Sequence, residues 1–489
     1  MKTLYVEKIN KLNFDNIFII EKDGEDWSYN AFFDNAINIG YTISQTGKNK
    51  IVTILPNSIK LCILYFSALL FDMVIVPIDI EKSNEEIDHI VRQNMDGVVI
   101  YSNVTEVDNI PNECQKLEVG KLELYNHRRN VKDIVINKLK QLDGDKLFLI
   151  TYTSGTEAEP KGVMHSIHNL IASSESFSNR FGFDEKCIWG HVMPMAYMAG
   201  ILNSIIMPFM SGGKIVLLKR FSMPYCFQMW KDILEYRINT IWLAPTMVNL
   251  AGRLGKTPEI LKYVKQSSMT ILVGTAPLTE KVKKQFETDF DIQLYPSYGL
   301  SETLFVSTVD KNNYSLNENV TAGTLLKEVE YKLQPDGELL IYVPWMFLGY
   351  TNVEDQCYFE NKYYKTGDLV TINSDNIISI VGRSKEVIIR GGINVSPAQL
   401  ENIIASELGI DVVIFGIKED NEELIGCAYV AEHRINETEK IIGNVILKRI
   451  GVGIKVDRFC IVKEIPLNIN GKVDRKKMKD IYHQQQAKR

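Results

Sequence analysis

Short β-rich runs alternate with longer segments of helical character up to about residue 275, and this alternation constrains the fold more than any other feature. The clearest runs are KIVTILP (50–56), MVIVPID (73–79), KIVLLK (214–219), TIWLAP (240–245) and MTILVG (269–274). A parallel strand reaches its neighbour through a crossover connection, usually a helix. The alternation therefore predicts an α/β protein built from βα units around mainly parallel sheets.

The pattern of predicted strands and helices changes towards the C-terminus. From about residue 323 short strands and turns predominate, as in NIISIVGR (376–383), which predicts a smaller β-rich subdomain. A chain of 489 residues is too long for one hydrophobic core. We therefore predict a large N-terminal domain, residues 1–384, and a small α+β C-terminal domain, residues 385–489. The terminal HQQQAKR (483–489) is expected to fray.

Composition excludes several classes of protein. The net charge is −6 and the basic residues are scattered, so the chain lacks the basic footprint of a nucleic-acid-binding protein. Seven cysteines without a CxxC pair indicate reduced thiols, as expected of a cytoplasmic protein. The N-terminus lacks the apolar core of a signal peptide. The apolar stretch 61–80 is interrupted by Asp72 and Pro77, so it predicts a buried helix and a buried strand rather than a membrane span.

A cluster of hydroxyl residues with one glycine and one lysine follows the predicted strand KLFLITYT (146–153). Hydroxyl groups, backbone amides at a glycine and a fixed positive charge are the donors that a phosphate needs. The candidate phosphate ligands are Thr153, Ser154, Gly155, Thr156 and Lys161. A Walker loop would need the spacing GxxxxGK[ST], which is absent because Pro160 precedes the lysine. Taken alone, the segment is also compatible with an ordinary surface turn.

Further motifs occur in order along the rest of the chain. They are YPSYGLSET (295–303), GELLIYVPWMFLGY (337–350), YKTGDL (364–369), GRSKEVIIRGGINVSPAQLEN (382–402) and PLNINGKVDRKKM (466–478). Together with the phosphate-loop candidate, this series resembles the adenylate-forming superfamily of acyl-CoA synthetases, nonribosomal-peptide adenylation domains and beetle luciferases. The resemblance spans most of the chain. It implies an AMP-binding N-terminal domain, a mobile C-terminal lid, and activation of a carboxylic acid with ATP and Mg²⁺.

The resemblance assigns the adenine and metal sites to two segments. In SYGLSET it implies that Tyr298 stacks on adenine, with Gly299 beside it. Ser301 would offer its hydroxyl to the α-phosphate, and Glu302 would ligate Mg²⁺, which favours hard oxygen ligands. The segment VGTAPL (273–278) would flank adenine through Gly274, Thr275, Ala276 and Pro277. Taken alone, YGLSET is also compatible with a strand end followed by a capped helix.

The motif YKTGDL is assigned to the ribose. The resemblance implies that Asp368, placed after a tight Thr-Gly turn, accepts both ribose hydroxyls, and that Arg383 reinforces the ribose and phosphate side. The structural alternative for TGD is a simple hairpin turn.

Lys472 in NINGKVDRK is the predicted catalytic residue. Adenylation joins a carboxylate to the α-phosphate, two anions that repel each other until a cation bridges them. The resemblance implies that the lid rotates about Lys385 between the two half-reactions, and that Gly391 and Gly392 line the channel of a pantetheine thiol. CoA is the expected acceptor, and the phosphopantetheine of a separate acyl carrier protein is the alternative.

The absence of an acidic residue from one segment limits which carboxylic acid the protein is expected to use. In amino-acid-activating relatives an aspartate early in the pocket helix pairs with the substrate ammonium, but the segment 191–209 contains no acid. An unpaired, desolvated ammonium costs several kcal/mol, so we expect a non-amino carboxylic acid. Tyr197, Met198 and Gly274 are expected beside the acyl group, although Tyr and Met are also ordinary core residues.

Two features leave alternatives open. Where the family usually has Thr-Gly, this chain has Glu157 and Ala158, and Glu159 follows. We expect both carboxylates to face solvent or to be offset by Mg²⁺. A protein without adenylation activity, a luciferase-like oxygenase and a non-catalytic binding paralogue are the alternatives. His165 and His168 form an HxxH pair without further ligands, which predicts no metal site.

Overall fold

The computed structural model describes most of the chain. The described residues are 2–102, 110–126, 129–153, 160–309, 311, 314, 321–351, 358–390, 393–419, 422–431, 436–450, 454–467 and 473–487.

The helices are distributed along the whole chain. They are α1 Lys2–Lys11, α2 Tyr29–Ser44, α3 Ile59–Leu70, α4 Asn84–Arg92, α5 Lys132–Gln141, α6 Ile167–Phe181, α7 Met207–Ser211, α8 Met223–Glu235, α9 Pro245–Leu254, α10 Pro258–Gln266, α11 Glu280–Phe290, α12 Pro397–Leu408, α13 Asn436–Ile450 and α14 Arg475–Ala487. A π-helix, Ala199–Ile206, leads into α7.

The strands alternate with these helices as far as β13 and then follow one another more closely. They are β1 Ile17–Glu21, β2 Asp26–Ser28, β3 Lys50–Ile54, β4 Val74–Ile78, β5 Val98–Tyr101, β6 Gln115–Glu118, β7 Leu147–Thr153, β8 Lys161–Ser166, β9 Ile188–His191, β10 Lys214–Leu217, β11 Thr240–Leu243, β12 Thr270–Val273, β13 Leu294–Leu300, β14 Leu304–Thr308, β15 Thr324–Leu325, β16 Glu330–Leu333, β17 Glu338–Tyr342, β18 Gly349–Tyr350, β19 Phe359–Glu360, β20 Tyr363–Ile372, β21 Ile378–Arg383, β22 Ile388–Arg390, β23 Ile393–Val395, β24 Val412–Glu419, β25 Glu422–Val430 and β26 Arg458–Val462.

Two large sheets with parallel centres form the N-terminal part. One has nine strands in the order β15-β14-β13-β12-β11-β9-β10-β1-β2, and the other has seven in the order β18-β8-β7-β4-β3-β5-β6. Neighbours from β13 to β1, and from β7 to β6, are parallel, whereas the outer strands pair antiparallel. The carboxyl ends of parallel strands, where open α/β sheets bind ligands, therefore face the segments that follow β4, β7, β10 and β12.

The stretch 61–80 forms the predicted helix and strand. All but the first two residues of α3 come from it, β4 follows, and the side chains of both are mostly buried. The turn between them contains Asp72, whose φ is +54°. Ser58 caps the helix by accepting a hydrogen bond from Leu61 N at 3.3 Å. Among the described helices, none has the length and hydropathy needed to cross a bilayer.

The β-rich region and the C-terminal region form further sheets. Strands β16, β17, β20, β19 and β21 make a five-stranded sheet, β22 and β23 a hairpin, and β24, β25 and β26 a three-stranded sheet. The largest apolar cluster joins both large sheets and reaches the five-stranded sheet. Two other clusters contain only residues from Ile388 onwards. The predicted α/β architecture is confirmed, and its hydrophobic cores separate close to Lys385.

Candidate functional site

The segment YGLSET forms a β-hairpin, so the alternative of a strand end followed by a helix is wrong. Strand β13 ends at Leu300 and β14 begins at Leu304. Gly299 is required in this hairpin because a Cβ atom there would lie 2.0 Å from the carbonyl oxygen of Leu304. The hairpin presents Ser301 and Glu302 at its tip.

The Glu302 carboxylate lies against the hydroxyl group of Tyr350. Tyr350 Oη donates to Glu302 Oε1 at 2.7 Å, and Tyr364 Oη lies 2.8 Å from Tyr350 Oη. Burial raises the pKa of both tyrosines, and the charge of Glu302 raises each pKa further. Both hydroxyls therefore keep their protons at neutral pH. The sequence motifs contained both tyrosines without indicating this contact.

His165 supports the same hairpin from β8. Its side chain is fully buried, and its Nε2 lies 2.6 Å from the carbonyl oxygen of Ser301. Burial lowers the pKa of His165 to about 4, so the ring is neutral and Nε2–H donates to this carbonyl. His168 has a different partner, since its Nδ1 lies 2.8 Å from Asp145 Oδ1. The two histidines of the HxxH pair thus contact separate elements, and His165 is a site residue that the sequence did not identify.

Lys161 opens β8 directly after the phosphate-loop candidate. Its Nζ donates to Tyr358 Oη at 2.6 Å and lies 5.0 Å from the centre of that ring. The same Nζ lies 6.0 Å from the centre of the Tyr350 ring, so Lys161 and Glu302 share one aromatic cluster. The remaining predicted phosphate ligands, and Glu157 with Glu159, stay predictions. Outside the described part of the chain are Ser154, Gly155, Thr156, Glu157, Glu159 and the side chain of Thr153.

Asp368 is buried and is held by two residues from other motifs. Tyr298 Oη donates to Asp368 Oδ2 at 2.7 Å, and Arg383 Nε lies 2.8 Å from Asp368 Oδ1. Burial raises the pKa of Tyr298, and the Asp368 carboxylate raises it further. The structure thus brings together three predicted residues from β13, β20 and β21.

Asp368 does not follow a tight turn, so that prediction and its hairpin alternative are both wrong. Thr366 and Gly367 lie inside β20, where Gly367 has φ of +70°. The pairing with β17 shifts register between Glu338 and Leu340, as in a β-bulge. A distorted strand, stabilised by the bond from Asp368 N to Thr366 Oγ1 at 3.0 Å, orients the carboxylate instead.

The segment VGTAPL leaves β12 with a strained backbone. Thr275 has φ of +73°, which a β-branched residue adopts only at a cost of about 1–3 kcal/mol. Side-chain atoms of Trp242 and Ser297 lie 3.1 Å from where a Cβ on Gly274 would stand, so this position leaves little room for a side chain. Backbone strain of this kind concentrates at ligand sites, in keeping with the predicted contact to a nucleotide.

Tyr197 lies near charged residues from other strands. Arg220, just beyond β10, forms ion pairs with Asp79 and Glu81 after β4, each at 2.8 Å. Burial raises the pKa of Tyr197, and the Asp79 charge raises it further. Acidic groups therefore reach this region although the segment 191–209 contains none. Met198 packs against the central apolar cluster.

A cavity of about 430 Å³ opens beside these residues at the carboxyl ends of β1, β3, β4 and β10. Its apolar wall comes from both large sheets, and its charged residues include the Arg220 ion pairs. The lining residues are Glu21, Lys22, Leu55, Pro56, Asn57, Ser58, Ile59, Asp79, Ile80, Glu81, Met195, Ala196, Leu217, Leu218, Lys219 and Arg220.

The predicted hinge residue Lys385 lies in a short 3-10 turn, Ser384–Glu386, between the five-stranded sheet and β22. Arg475, at the start of α14, forms ion pairs with Glu386 at 3.1 Å and with Glu401 at 2.5 Å. These contacts connect the turn to the start of the last helix. The roles of Gly391, Gly392 and Lys472 stay predictions, because these three residues lie outside the described part of the chain.

Comparison with known proteins identifies the family. The model of the AMP-binding enzyme family matches residues 7–351, so the chain belongs to this family, as the order of its motifs predicted. The chain is an AMP-forming ligase of the acyl-CoA synthetase type.

The chain is similar to several acid–CoA ligases over most of its length. It is 23% identical over 499 residues to the medium-chain fatty-acid–CoA ligase of Escherichia coli (strain K12), covering 94% of this chain and 87% of that protein. It is 27% identical over 474 residues to a 2-succinylbenzoate–CoA ligase of Staphylococcus epidermidis, covering 92% of each.

Among solved structures, o-succinylbenzoate coenzyme A synthetase (MenE) from Bacillus subtilis, in complex with ATP and a magnesium ion, superimposes with a TM-score of 0.83. The identity is 20%, and 98% of this chain and 99% of that one are covered. This likeness confirms the fold.

Proposed function

We propose that the protein activates a carboxylic acid with ATP, forming an acyl-adenylate and pyrophosphate, and then transfers the acyl group to the thiol of CoA. The observation that carries the proposal is the buried Asp368 carboxylate, held by Tyr298 and Arg383 from two other motifs in a chain of the AMP-binding enzyme family. A carboxylate prepared in this way suits a ligand rich in hydroxyl groups.

The geometry around Asp368 fits a ribose. Each carboxylate oxygen has two lone pairs, and the described contacts give each oxygen one donor, from Tyr298 or from Arg383. Both oxygens therefore keep capacity to accept a ribose hydroxyl. The bond to Asp368 also fixes the ring of Tyr298, which we assign to one face of adenine, and the strained backbone at Thr275 is assigned to the other side.

The surroundings of Glu302 fit a magnesium ion. Mg²⁺ is commonly held by one or two carboxylates together with substrate phosphates and water, and Glu302 supplies one such carboxylate. Its bond to Tyr350 uses one acceptor position and leaves others. When bound, the ion would neutralise phosphate charge and orient the phosphates. Glu302 is the residue that would hold it.

The phosphates of ATP would be bound by groups at the connection between β7 and β8 and at the tip of the β13–β14 hairpin. Lys161 supplies a positive charge at the start of β8, and the Ser301 hydroxyl lies at the hairpin tip. We assign the remaining phosphate contacts to Thr153, Ser154, Gly155 and Thr156. Lys472 is assigned to the α-phosphate and the attacking carboxylate, where it would stabilise the charge that develops during adenylation.

The charges around Tyr197 support a non-amino acid as substrate. The acids near Tyr197 include Asp79 and Glu81, both paired with Arg220, and Glu86, paired with Lys82. The ammonium group of an amino acid would have to displace one of these cations or remain unpaired, at a cost of several kcal/mol. We therefore place a non-amino acyl group beside Tyr197, Met198 and Gly274.

The second half-reaction is assigned to a rotated position of the C-terminal domain. The separate hydrophobic cores on either side of Lys385 support a hinge at this residue. Gly391 and Gly392 are assigned to the pantetheine channel, with CoA as acceptor and an acyl carrier protein as the alternative. We place the enzyme in the cytoplasm, in keeping with the free thiols of the six described cysteines.

Acid-dependent exchange of labelled pyrophosphate into ATP tests the proposal. A panel of carboxylic acids, assayed with and without CoA, should show exchange with at least one acid and thioester formation when CoA is added. ATP binding with no exchange for any acid would overturn the proposed reaction.

The same assay tests the substrate class. No α-amino acid should support exchange as well as the matching acid without its amino group, because the ammonium would lose its hydration without gaining a partner. Each comparison uses a pair that differs only in this group, such as phenylalanine and 3-phenylpropanoate. A stronger signal from any proteinogenic amino acid would contradict the assignment.

A further inference from the structure

Tyr350 lies between the candidate metal ligand and the candidate phosphate-binding lysine. Its hydroxyl is 2.7 Å from Glu302 Oε1, and the centre of its ring is 6.0 Å from Lys161 Nζ. The ring also packs edge-to-face on Tyr358, which accepts the bond from Lys161, with centroids 5.0 Å apart. One side chain therefore contacts both charged groups that would meet the phosphates.

The hydroxyl of Tyr350 is the donor to Glu302 Oε1. A carboxylate oxygen is the natural acceptor for such a hydroxyl. Tyr364 Oη lies 2.8 Å from Tyr350 Oη, and the Tyr364 hydroxyl is also hydrogen-bonded to the Glu302 side chain. The two tyrosine hydroxyls and the Glu302 carboxylate therefore form one hydrogen-bonded cluster. The bonds in this cluster polarise one another, and those to the carboxylate are charge-assisted.

The backbone fixes the positions of the residues in this cluster. Tyr350 belongs to β18, which pairs with β8 at Val163, two residues beyond Lys161. Tyr364 belongs to β20, the strand that also contains Asp368. The Glu302 side chain has three rotatable bonds and stands at a hairpin tip, so without a partner it would sample several rotamers. The bond to Tyr350 selects one of them.

We propose that Tyr350 is a positioning residue, whose hydroxyl holds the Glu302 carboxylate in the orientation that receives Mg²⁺. This inference rests on the proposed function, in which Glu302 is the metal ligand. Tyr350 itself would contact neither the Mg²⁺ ion nor the carboxylic acid substrate.

The variant Tyr350→Phe isolates the hydroxyl because it keeps the ring, its packing on Tyr358 and its distance from Lys161. ATP binding is measured by calorimetry over a series of Mg²⁺ concentrations, without any acid. The Mg²⁺ concentration for half-maximal enhancement of ATP binding should rise about tenfold to a hundredfold, since hydrogen bonds to charged groups contribute about 1.5–3 kcal/mol. ATP affinity in the absence of Mg²⁺ should stay the same.

Three further variants sharpen the test. Tyr364→Phe removes the hydroxyl that contacts Tyr350 and Glu302 but leaves the 2.7 Å bond from Tyr350 to Glu302, so it should shift the Mg²⁺ response in the same direction but less. Tyr363→Phe is the matched control, because Tyr363 precedes Tyr364 on β20 and its exposed hydroxyl bonds Glu330 at 3.2 Å; it should change nothing. In a Glu302→Ala background, Tyr350→Phe should have no further effect on ATP affinity at a fixed Mg²⁺ concentration.

An unchanged Mg²⁺ response in Tyr350→Phe would overturn the proposal. An equal loss of ATP affinity with and without Mg²⁺ would also overturn it, because such a loss indicates a general structural role. A wild-type protein whose ATP binding ignores Mg²⁺ would also overturn it. If the wild type binds ATP with Mg²⁺ but no acid supports exchange, the proposed reaction fails, while the binding data still decide the role of Tyr350. Should Tyr350→Phe fail to fold, the graded shift in Tyr364→Phe decides.

Discussion

Two buried carboxylates accept a hydrogen bond from a tyrosine hydroxyl, Asp368 in the candidate site and Asp232 outside it. They differ in how many acceptor positions on the carboxylate remain for a ligand. Asp232 accepts from Tyr225 and Lys22 through one oxygen and from Gln228 through the other. Its lone pairs are largely used, so this carboxylate has a structural role. Asp368 keeps one position on each oxygen, which is what a ligand requires.

Buried neutral histidines make the stability of the large sheets depend on pH. The pKa of His165 is lowered to about 4 by burial, against about 6.5 in an unfolded chain. Below pH 6.5 the unfolded state therefore binds a proton that the folded state does not, and stability is lost as the pH falls towards 4. At pH 5 the loss through this one residue is about 2 kcal/mol relative to pH 7.5.

His165→Gln should remove this part of the pH dependence while keeping a side-chain N–H for the Ser301 carbonyl. The thermal midpoint is measured at both pH values from tryptophan fluorescence, which reports on the N-terminal domain because its five tryptophans are Trp27, Trp189, Trp230, Trp242 and Trp345. His191 has a pKa lowered to about 4 by the same cause and remains in both proteins. The same loss of stability between pH 7.5 and pH 5 in both proteins would show that His165 does not titrate as described.

The β13–β14 hairpin is the element on which the metal-side geometry depends. Gly299 allows the two strands to close because its missing Cβ leaves room for the Leu304 carbonyl. A backbone atom cannot move aside as the end of a flexible side chain can, so any substitution must distort the hairpin and displace Glu302.

Gly299→Ala should therefore destabilise the protein by about 2–3 kcal/mol and weaken the Mg²⁺ enhancement of ATP binding. Gly443→Ala is the control, since no atom lies within 4 Å of a Cβ added there, inside α13. That change should be neutral or stabilise by up to about 1 kcal/mol. Calorimetric midpoints and the Mg²⁺ response of each variant provide the measurement, and an unaffected Gly299→Ala would contradict the close contact.

Regular elements could be predicted from the sequence, but their distortions could not. The runs at 50–56 and 73–79 became β3 and β4 because Val and Ile favour buried parallel strands. The bulge that orients Asp368 arises from pairing with β17, and the strain at Thr275 from the surroundings of β12. Both depend on partners far away in the sequence, and a local pattern does not encode these.

The long-range contacts of the site show the same limit for the whole molecule. His165 and Ser301 are 136 residues apart, and Tyr350 and Glu302 are 48 apart. The motifs predicted which residues carry charge and which family the chain belongs to. The sequence did not indicate the side chains that position those charges. Each of these side chains belongs to a different strand, and only the folded structure brings β8, β13 and β18 close together.

The end of the chain departs from its prediction. The segment HQQQAKR was expected to fray, but its first five residues, 483–487, belong to α14. Lys488 and Arg489 lie outside the described part of the chain. Met478 and Tyr482, four residues apart, bury one face of this helix in the C-terminal core. Gln485 adds a bond from its Nε2 to the Ile461 carbonyl at 2.9 Å. The last helix is therefore anchored in the C-terminal core from its first residue, Arg475.

This anchoring makes Lys472→Ala a specific test of how the two half-reactions are divided. Arg475, three residues further on, keeps its ion pairs with Glu386 and Glu401, so removing the Lys472 ammonium should leave the C-terminal domain folded. Formation of acyl-adenylate should be abolished, because the cation that bridges carboxylate and α-phosphate is lost. Transfer from a supplied acyl-adenylate to CoA should be largely intact, because the lysine acts only in the first step.

Lys476→Ala provides the matched control, since Lys476 is an exposed lysine on α14, four residues from Lys472 in the sequence, and its replacement removes the same charge. It should slow neither step. The two half-reactions are measured separately, as pyrophosphate exchange and as thioester formation from synthetic acyl-adenylate. A group that acts only on ATP and the acid can be removed without changing the contacts of the thiol step. If Lys472→Ala slowed both half-reactions to the same extent, the lysine would therefore have a structural role and not the proposed catalytic one.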